Sequence, residues 1–133
     1  MANEWTKVEL EGSNNDGGVR RYTIADGTSV SKGALLALSD PRTAGPSTGA
    51  LAPYCGVASE EHLANVGVTT ISCWTNGIFS VTASEAIGIG VDLSGAENNT
   101  VTESIAAASG AQIIGYSLEE ATAGGTFTMR LRL

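Results

Sequence analysis

His62 is the only histidine in this chain of 133 residues. Because histidine is the usual general base near neutral pH, a Ser-His-Asp or Cys-His site would have to use it. A zinc site would need His62, Cys55, Cys73 and a carboxylate to converge, but these residues lack the close spacing of zinc motifs. We therefore predict no catalytic residue, no metal site and no cofactor, and we expect His62 to face solvent or to cap a neighbouring element.

Two acidic pairs, Glu60-Glu61 and Glu119-Glu120, each follow a predicted strand. Neighbouring residues on a strand point to opposite sides, so adjacent carboxylates rarely act as one acid–base pair. We interpret both pairs as solvated turns, with cation binding as the alternative. Cys55 and Cys73 are too few for a disulfide framework and are predicted to be buried free thiols, although a bridge forms if their side chains face one another.

The charged residues are few and unevenly distributed. Seven basic and fourteen acidic residues give a net charge of −7, which argues against a surface built to neutralise nucleic-acid phosphates. Five of the seven basic residues lie within 1–42, none lies within 43–129, and Arg130 and Arg132 lie in the last four positions. This distribution predicts that one face meets a partner with basic residues from the two termini. The alternative is a weakly charged surface without functional meaning.

No segment of the sequence is apolar enough to predict a membrane span. The longest strongly apolar run, residues 34–38, is far shorter than the roughly 20 residues that a transmembrane helix needs. The first five residues lack the basic and apolar regions of a secretory signal. We therefore expect no contact with a membrane, and we expect the protein to be made and kept in a cytoplasm.

Seventeen glycines and a period-two alternation of apolar and polar residues predict an all-β fold of short strands and tight turns. In the last strand this alternation places Phe127, Met129, Leu131 and Leu133 on the inner side. Asn76-Gly77 lies between two β-rich runs and predicts a hairpin, because both residues tolerate a positive φ. Strands are predicted at 5–10, 19–25, 34–38, 54–58, 68–75, 78–82, 112–118 and 126–133, with 101–108 as a strand or short helix and 40–53 as a long exposed loop.

An internal repeat is visible when the chain is aligned with itself. Landmarks recur in the same order at offsets of 57 to 59 residues: 22–24 with 79–81, Val30 and Gly33 with Ile87 and Gly90, Gly56 with Gly115, and Gly67 with Gly125. Each unit alone would bury too little surface to be stable. We predict a single β domain, 1–133, with an N-terminal arm and first strand at 1–18. Two related units at about 19–75 and 76–133 then pack as halves of a small β-barrel or β-sandwich with a pseudo-twofold relation.

Several segments, taken in order, are similar to one protein family. They are ADGT at 25–28, VSKGALLALSDPRTA at 30–44, CGVA at 55–58, WTNGIF at 74–79 and IIGYSLEEA at 113–121. With these segments the chain resembles the capsid decoration, or cement, proteins of tailed bacteriophages. The resemblance implies a β-barrel or β-sandwich that binds the outside of an assembled icosahedral capsid, commonly as a trimer. It implies no active site, and it transfers no contact residue by position.

The resemblance and the composition together predict a non-enzymatic head decoration protein on the outer capsid surface of a virion, synthesised in the cytoplasm of the bacterial host. Its partners would be the major capsid protein and further copies of itself in a homotrimer, with no nucleic acid and no membrane. Many copies that bind the mature shell, and not its dissociated subunits, would stabilise that shell by mass action. The alternative is a carbohydrate-binding or adhesion β-module of a virion, for which the chain offers few aromatic side chains.

The capsid-contact residues predicted from the sequence are Trp5, Lys7, Arg20, Arg21 and Arg42. A large aromatic residue near the N-terminus has little reason to lie in a small core, and of two adjacent arginines on a strand one faces outward in either register. Because the middle of the chain has no positive charge, basic contacts to an acidic shell would come from its ends. In the alternative, Trp5 closes one end of the barrel and Arg20 or Arg21 pairs with a carboxylate. The loop at 40–53 is the next candidate for the contact.

Overall fold

The regular secondary structure of the described part of the chain is almost entirely β. The computed structural model describes residues 3–10, 19–47, 52–104 and 113–133, and in these ranges it has eleven strands and one 3-10 turn. The strands are β1 Thr6–Leu10, β2 Arg20–Thr23, β3 Leu35–Asp40, β4 Thr43–Pro46, β5 Tyr54–Ala58, β6 Thr70–Trp74, β7 Asn76–Thr82, β8 Asp92–Gly95, β9 Val101–Glu103, β10 Gly115–Ser117 and β11 Thr126–Arg132, and the turn is Glu97–Asn99. The predicted all-β class is confirmed. Predictions that fall on 1–2, 11–18, 48–51 and 105–112 lie outside the described residues.

The last strand forms as its sequence alternation predicts. Phe127, Met129 and Leu131 on β11 are buried, and the residues between them are partly or fully exposed. Leu133, predicted on the same side, is half-buried and packs against the same core. β11 pairs antiparallel with β7 over the full length of both strands, which makes this ladder the longest one described.

The strands form two curled sheets. Strands of the first unit close into a barrel in the order β2-β4-β3-β5-β6, in which only β2 and β4 run parallel. The second sheet has the order β1-β7-β11-β10-β8-β9, and all its ladders are antiparallel. A parallel bridge between Ala83 and Val101 joins the segment after β7 to β9, so the second sheet also curls toward closure.

The predicted hairpin at Asn76-Gly77 is wrong. Both residues lie inside β7, where they pair with Arg132 and Leu131 of β11. Since β6 belongs to the barrel and β7 to the second sheet, the chain passes from one to the other through Thr75 without turning back. The local preference of Asn-Gly for a hairpin is overridden here by a seven-residue ladder with a distant strand.

The repeat found in the sequence has a counterpart in the strand pairing. Residues separated by 57 or 59 positions form the same kinds of pair in the barrel and in the second sheet. The matching pairs are Leu36–Gly56 with Leu93–Gly115, Leu36–Pro46 with Leu93–Glu103, and Val30–His62 with Ile87–Ala121. These matches support two related units. The bounds at about 19–75 and 76–133, and the separate arm at 1–18, stay a prediction.

Gly56 and Gly115 show why glycines mark equivalent positions of the repeat. A Cβ at Gly56 would lie 2.6 Å from Sγ of Cys73, and a Cβ at Gly115 would overlap the carbonyl oxygen of Arg130. In both units the neighbouring strand passes too close to leave room for a side chain. The identity of these residues is therefore fixed by packing between strands.

A third glycine pair of the repeat is shifted by one residue relative to the sequence alignment. Gly67 has φ 81, and in the second unit the residue with a matching φ of 79 is Gly124, not the predicted Gly125. A φ near +80° favours glycine because a Cβ clashes with the backbone there. The turn conformation therefore identifies the equivalent residue where spacing alone did not.

Strand β5 explains how the two sheets share their apolar residues. All five of its residues are buried, although a half-exposed strand would alternate. Cys55 and Ala58 belong to the cluster inside the barrel, whereas Tyr54 and Val57 belong to the larger cluster that fills the second sheet. One face of the barrel wall is therefore part of the core of the second unit. Within the described ranges, no helix is long and apolar enough to cross a membrane.

Candidate functional site

His62 was predicted to face solvent or to cap a neighbouring element; it is buried, so the first alternative is wrong, and its bonds to backbone carbonyls agree with the second. Its Nδ1 lies 2.6 Å from the carbonyl oxygen of Thr28, and its Nε2 lies 2.7 Å from that of Val68. Two carbonyl acceptors are satisfied together only by an imidazolium that donates from both nitrogens. These backbone hydrogen bonds raise the pKa of His62, and burial opposes them. The ring thus ties the segment after β5 to the turn after β2, and neither nitrogen is directed at a substrate.

A Gly-x-Ser-x-Gly pattern at 45–49, which the sequence analysis missed, is the signature of a nucleophilic serine on a sharp strand-to-helix turn. In the structure, Ser47 directly follows β4, and its N–H donates to the carbonyl oxygen of Leu35 at 2.9 Å. The only histidine of the chain has both ring nitrogens bonded to backbone carbonyls. Ser47 therefore has no histidine available as a general base.

In each acidic pair the first glutamate, Glu60 or Glu119, accepts hydrogen bonds from a residue of a strand. Oε1 of Glu119 accepts hydrogen bonds from the N–H of Thr128 at 2.9 Å and from its hydroxyl at 2.6 Å, which lowers the pKa of Glu119. Oε1 of Glu60, at the equivalent position, accepts a hydrogen bond from the N–H of Ser72 at 3.3 Å. In the part of the chain that the structure describes, no three His, Cys, Asp or Glu residues form a group that could hold a metal ion.

The two cysteines are buried free thiols, as predicted. Burial raises the pKa of Cys55 to about 11 and that of Cys73 to about 12. The Cys73 thiol points at the carbonyl oxygen of Cys55, 3.7 Å away. Since the thiolate is the nucleophilic form, thiols with such pKa values are unreactive at neutral pH.

Trp5 is a core residue, so it is wrong as an exposed capsid contact. Its side chain is 3% exposed, its ring lies 5.9 Å from that of Phe79, and its Nε1 donates to the carbonyl oxygen of Asn99 at 3.4 Å. The backbone N–H of Trp5 donates to the carbonyl oxygen of Gly33 at 2.8 Å. The alternative, in which Trp5 closes one end of the barrel, is right about its burial, but Trp5 packs in the cluster of the second sheet and not in the barrel. Although Trp5 lies near the N-terminus, its ring is buried because it fills an apolar space under the barrel wall.

Lys7 and Lys32 form a first basic cluster, which we call the Trp74 cluster. Each ammonium nitrogen lies 5.8 Å from the centroid of the Trp74 ring. The two lysines line a shallow cavity of about 340 Å³ together with Trp5 and Trp74. Both lysines are exposed, whereas Trp74 is buried. In this cluster the two ammonium groups lie over the ring of Trp74, and the cation–π interaction helps to hold the lysine side chains in place.

A second basic cluster surrounds Tyr22. Arg20 and Tyr22 lie two residues apart on β2, so they share one side of the strand, and both line a pocket of about 290 Å³ with Arg132 from β11. Arg42 lies over the Tyr22 ring, with its guanidinium carbon 5.9 Å from the ring centroid. Its Nη2 donates to the carbonyl oxygen of Arg21 at 3.2 Å. We call this site the Tyr22 pocket.

The Tyr22 pocket concentrates positive charge in a protein with a net charge of −7. None of the side chains that line it is acidic, whereas Arg20 and Arg132 line it and Arg42 lies over the Tyr22 ring beside it. Burial raises the pKa of Tyr22, while the charges of Arg20 and Arg42 oppose that shift. The phenol is therefore a neutral hydrogen-bond donor at neutral pH, and the site as a whole attracts anions.

Comparison with known proteins identifies the family. The family model described as phage cement protein matches residues 14–133. The chain belongs to the phage cement protein family. A structure titled "The crystal structure of head fiber gp8.5 N base in bacteriophage phi29" is similar in fold, with a TM-score of 0.55 and 20% sequence identity, over 85% of this chain and 93% of that one. No curated protein matches the chain significantly.

Membership in the cement family assigns this chain a structural role in the phage head and a place in the virion. The resemblance noted from the sequence is confirmed, and so is the class of capsid decoration proteins. At 20% identity, the head fiber base shows only that the fold is shared.

Of the five predicted contact residues, this cement protein brings two together at the Tyr22 pocket, Arg20 and Arg42. Arg21 is exposed but lies on the other side of β2, and Lys7 belongs to the Trp74 cluster. Sequence reasoning missed Arg132 as a member of the pocket, although the return of basic residues at the C-terminus was a signal for it. Nothing in the local sequence could show that β2 and the end of β11 border the same pocket.

Proposed function

We propose that this cement protein binds the outer surface of the mature phage capsid, contacts the major capsid protein there and stabilises the shell without catalysing a reaction. The observation that carries the proposal is the match of the cement family over residues 14–133, which is almost the whole chain. The chemistry of the described residues agrees with it: His62 is held between two carbonyls, and both cysteine thiols are buried.

Stabilisation in this proposal follows from linkage. A protein that binds the assembled shell and not its free subunits shifts the assembly equilibrium toward the shell. Each contact can be smaller than a standard protein interface of about 1,600 Å², because many copies bind one particle. Each copy therefore needs only modest affinity for its site on the shell, and the surface charge of the protein selects where on the shell it binds.

We further propose that the protein acts as a homotrimer. Its surface exposes aliphatic side chains that subunit contacts could cover: Leu63 is 55% exposed, Val66 56% and Ile89 69%. Charged residues make up only 16% of the chain, which lowers the desolvation cost of such contacts. Light scattering coupled to size-exclusion chromatography tests this proposal, and a monomer at all concentrations, together with isolated single copies on the particle, would contradict it.

Sedimentation with phage heads tests the proposed function directly. The purified protein is mixed with expanded, empty heads of its phage and with unexpanded heads, and bound protein is measured after centrifugation. We expect saturable binding to expanded heads and little binding to unexpanded ones, and we expect decorated heads to resist heat or chelator better than bare heads. Absence of binding to both kinds of head would contradict the proposal.

The contact residues Lys7, Arg20, Arg21 and Arg42 remain candidates within this function. They are exposed and basic, and they come from the first third of the chain. Amino-acid substitution of each residue to glutamine, followed by the same sedimentation assay, ranks their contributions. A carbohydrate-binding role has no comparable support, because the two tryptophans, Trp5 and Trp74, are both buried.

A further inference from the structure

The Tyr22 pocket differs from its counterpart in the second unit in one informative way. Phe79, which follows Tyr22 by 57 residues, is covered by two rings: Trp5 at 5.9 Å and Trp74 at 5.5 Å between centroids. Tyr22 instead has Arg42 over its ring and an open pocket of about 290 Å³ beside it. The same position of the repeat is therefore filled by the protein itself in one unit and left open, with arginines around it, in the other.

We propose that the Tyr22 pocket binds an acidic segment of the capsid subunit, with an aspartate or glutamate side chain held among Arg20, Arg42 and Arg132. This proposal rests on the proposed function and names the partner chemistry and the surface for it. Guanidinium groups match carboxylates because they offer parallel N–H donors in a fixed plane. The phenol of Tyr22 adds a neutral donor at the same place.

The size and the lining of the pocket favour a peptide segment. A volume of about 290 Å³ holds one or two side chains, and it is at the lower limit of the cavities that bind whole small molecules. Leu38 and Thr75 on its wall give the methylene groups of the inserted segment an apolar surface. A nucleic acid would need a longer row of phosphate contacts, and the net charge of −7 opposes it.

The first experiment measures whether the pocket binds carboxylates in the absence of any capsid. Hexa-aspartate is titrated into the full-length protein, hexa-serine serves as the control peptide, and the ring signals of Tyr22 are followed by NMR. We expect saturable shifts with hexa-aspartate only, and we expect binding to weaken about tenfold in Arg20→Gln and in Arg42→Gln. Absence of a saturable shift at Tyr22, or equal binding by these variants and the wild type, would overturn the proposal.

Arg21→Gln is the matched control because it removes the same charge from the same strand. Arg21 lies on the opposite side of β2, and its contact with Arg42 uses only the backbone carbonyl, which glutamine keeps. Lys32→Gln controls for the Trp74 cluster in the same way. Both variants should bind hexa-aspartate within about twofold of the wild type if the Tyr22 pocket is the site.

The second experiment tests whether the pocket contacts the capsid. Occupancy of expanded heads is measured for the wild type and for the four variants, at low and at moderate salt. We expect Arg20→Gln and Arg42→Gln to lose affinity about tenfold and to show a weaker salt dependence, with Lys32→Gln, which lies outside the candidate contacts, close to the wild type. All four substitutions are at exposed residues, and thermal unfolding confirms that each variant is folded.

The outcomes separate this proposal from the proposed function. If the wild type binds heads and the pocket variants bind equally well, the pocket proposal fails and the function stands. If the wild type binds no heads, the function fails and the peptide titration alone decides whether the pocket takes carboxylates. If Arg20→Gln and Arg42→Gln change the oligomeric state while head binding is kept, the occupant is a second copy of this chain, which also overturns the proposal.

Discussion

Replacement of Trp5 by alanine should destabilise the fold rather than remove an exposed contact. The Trp5 side chain is 3% exposed, packs 5.9 Å from Phe79 and donates a hydrogen bond to Asn99. Truncation of a buried tryptophan typically costs about 3–5 kcal/mol, which includes the cavity that remains. For a chain of this length, an unfolding entropy of about 0.28 kcal/mol per kelvin, scaled per residue, converts this loss into a melting temperature lower by about 11–18 °C.

The assay is urea unfolding of Trp5→Ala and of the wild type at one protein concentration, followed by circular dichroism. Lys7→Ala is the control, since an exposed cation over an aromatic ring contributes about 1 kcal/mol or less. The reasoning is refuted if Trp5→Ala unfolds within 1 kcal/mol of the wild type, an order-of-magnitude threshold for losing a surface side chain. If that variant also lost head binding, Trp5 would be the exposed anchor that the sequence suggested.

Three further predictions concern groups that the fold holds in unusual environments. The pKa of His62 is raised above its unfolded value of about 6.5, so its contribution to stability is fully present below that pH and is lost as the pH rises through the folded pKa. The urea midpoint of the wild type should therefore exceed that of His62→Gln by more at pH 5.5 than at pH 8.5. An equal difference in midpoint at the two pH values would contradict this prediction. Gly115→Ala should lower the free energy of unfolding by about 3 kcal/mol or more, because the new Cβ would overlap a neighbouring carbonyl oxygen. Gly45→Ala is the control: its Cβ meets nothing within 4 Å, so the free energy of unfolding should change by about 0.5 kcal/mol or less. Comparable urea midpoints for the two variants would refute the packing argument. Cys55 and Cys73 have pKa values of about 11 and 12, so neither thiol should react with a disulfide reagent at pH 8 in the folded protein. Both thiols should react in urea. Rapid labelling of the native state would instead show that the barrel interior is open.

The fold class and the repeat could be predicted because both depend on short-range patterns. Alternation along β11 and the glycines at 56 and 115 are properties of single strands and of their nearest neighbours. The hairpin at Asn76-Gly77 could not be judged in this way. Whether the chain turns there depends on which strand pairs with β7, and that partner, β11, lies about 50 residues later.

The candidate site was only partly accessible from the sequence for a related reason. The gap in positive charge between 43 and 129 led to the prediction that basic residues from both ends act together. Arg20 and Arg132 do line one pocket, and Arg42 lies over the Tyr22 ring beside it. Which arginines belong to it depends on the closure of the barrel and on the side of β2 that each residue occupies. Trp5 was misjudged because the cavity that it fills is created by the second unit, at residues such as Phe79.

The equivalent residues Arg42 and Asn99 show how one position of the repeat is used differently in the two units. Both precede the third strand of their unit, β4 or β9, and both have a left-handed φ, 49 and 62. Asn99 is buried: its Oδ1 accepts from the N–H of Leu35 at 2.7 Å, and its Nδ2 donates to the carbonyl oxygens of Gly33 and Asn3 at 3.0 and 2.9 Å. An asparagine tolerates this φ and satisfies three backbone groups where the second unit packs on the first. Arg42 keeps the conformation but carries its charge to the surface, so the duplicated position that joins the units in one copy is exposed in the other, next to the pocket for which we propose a carboxylate ligand.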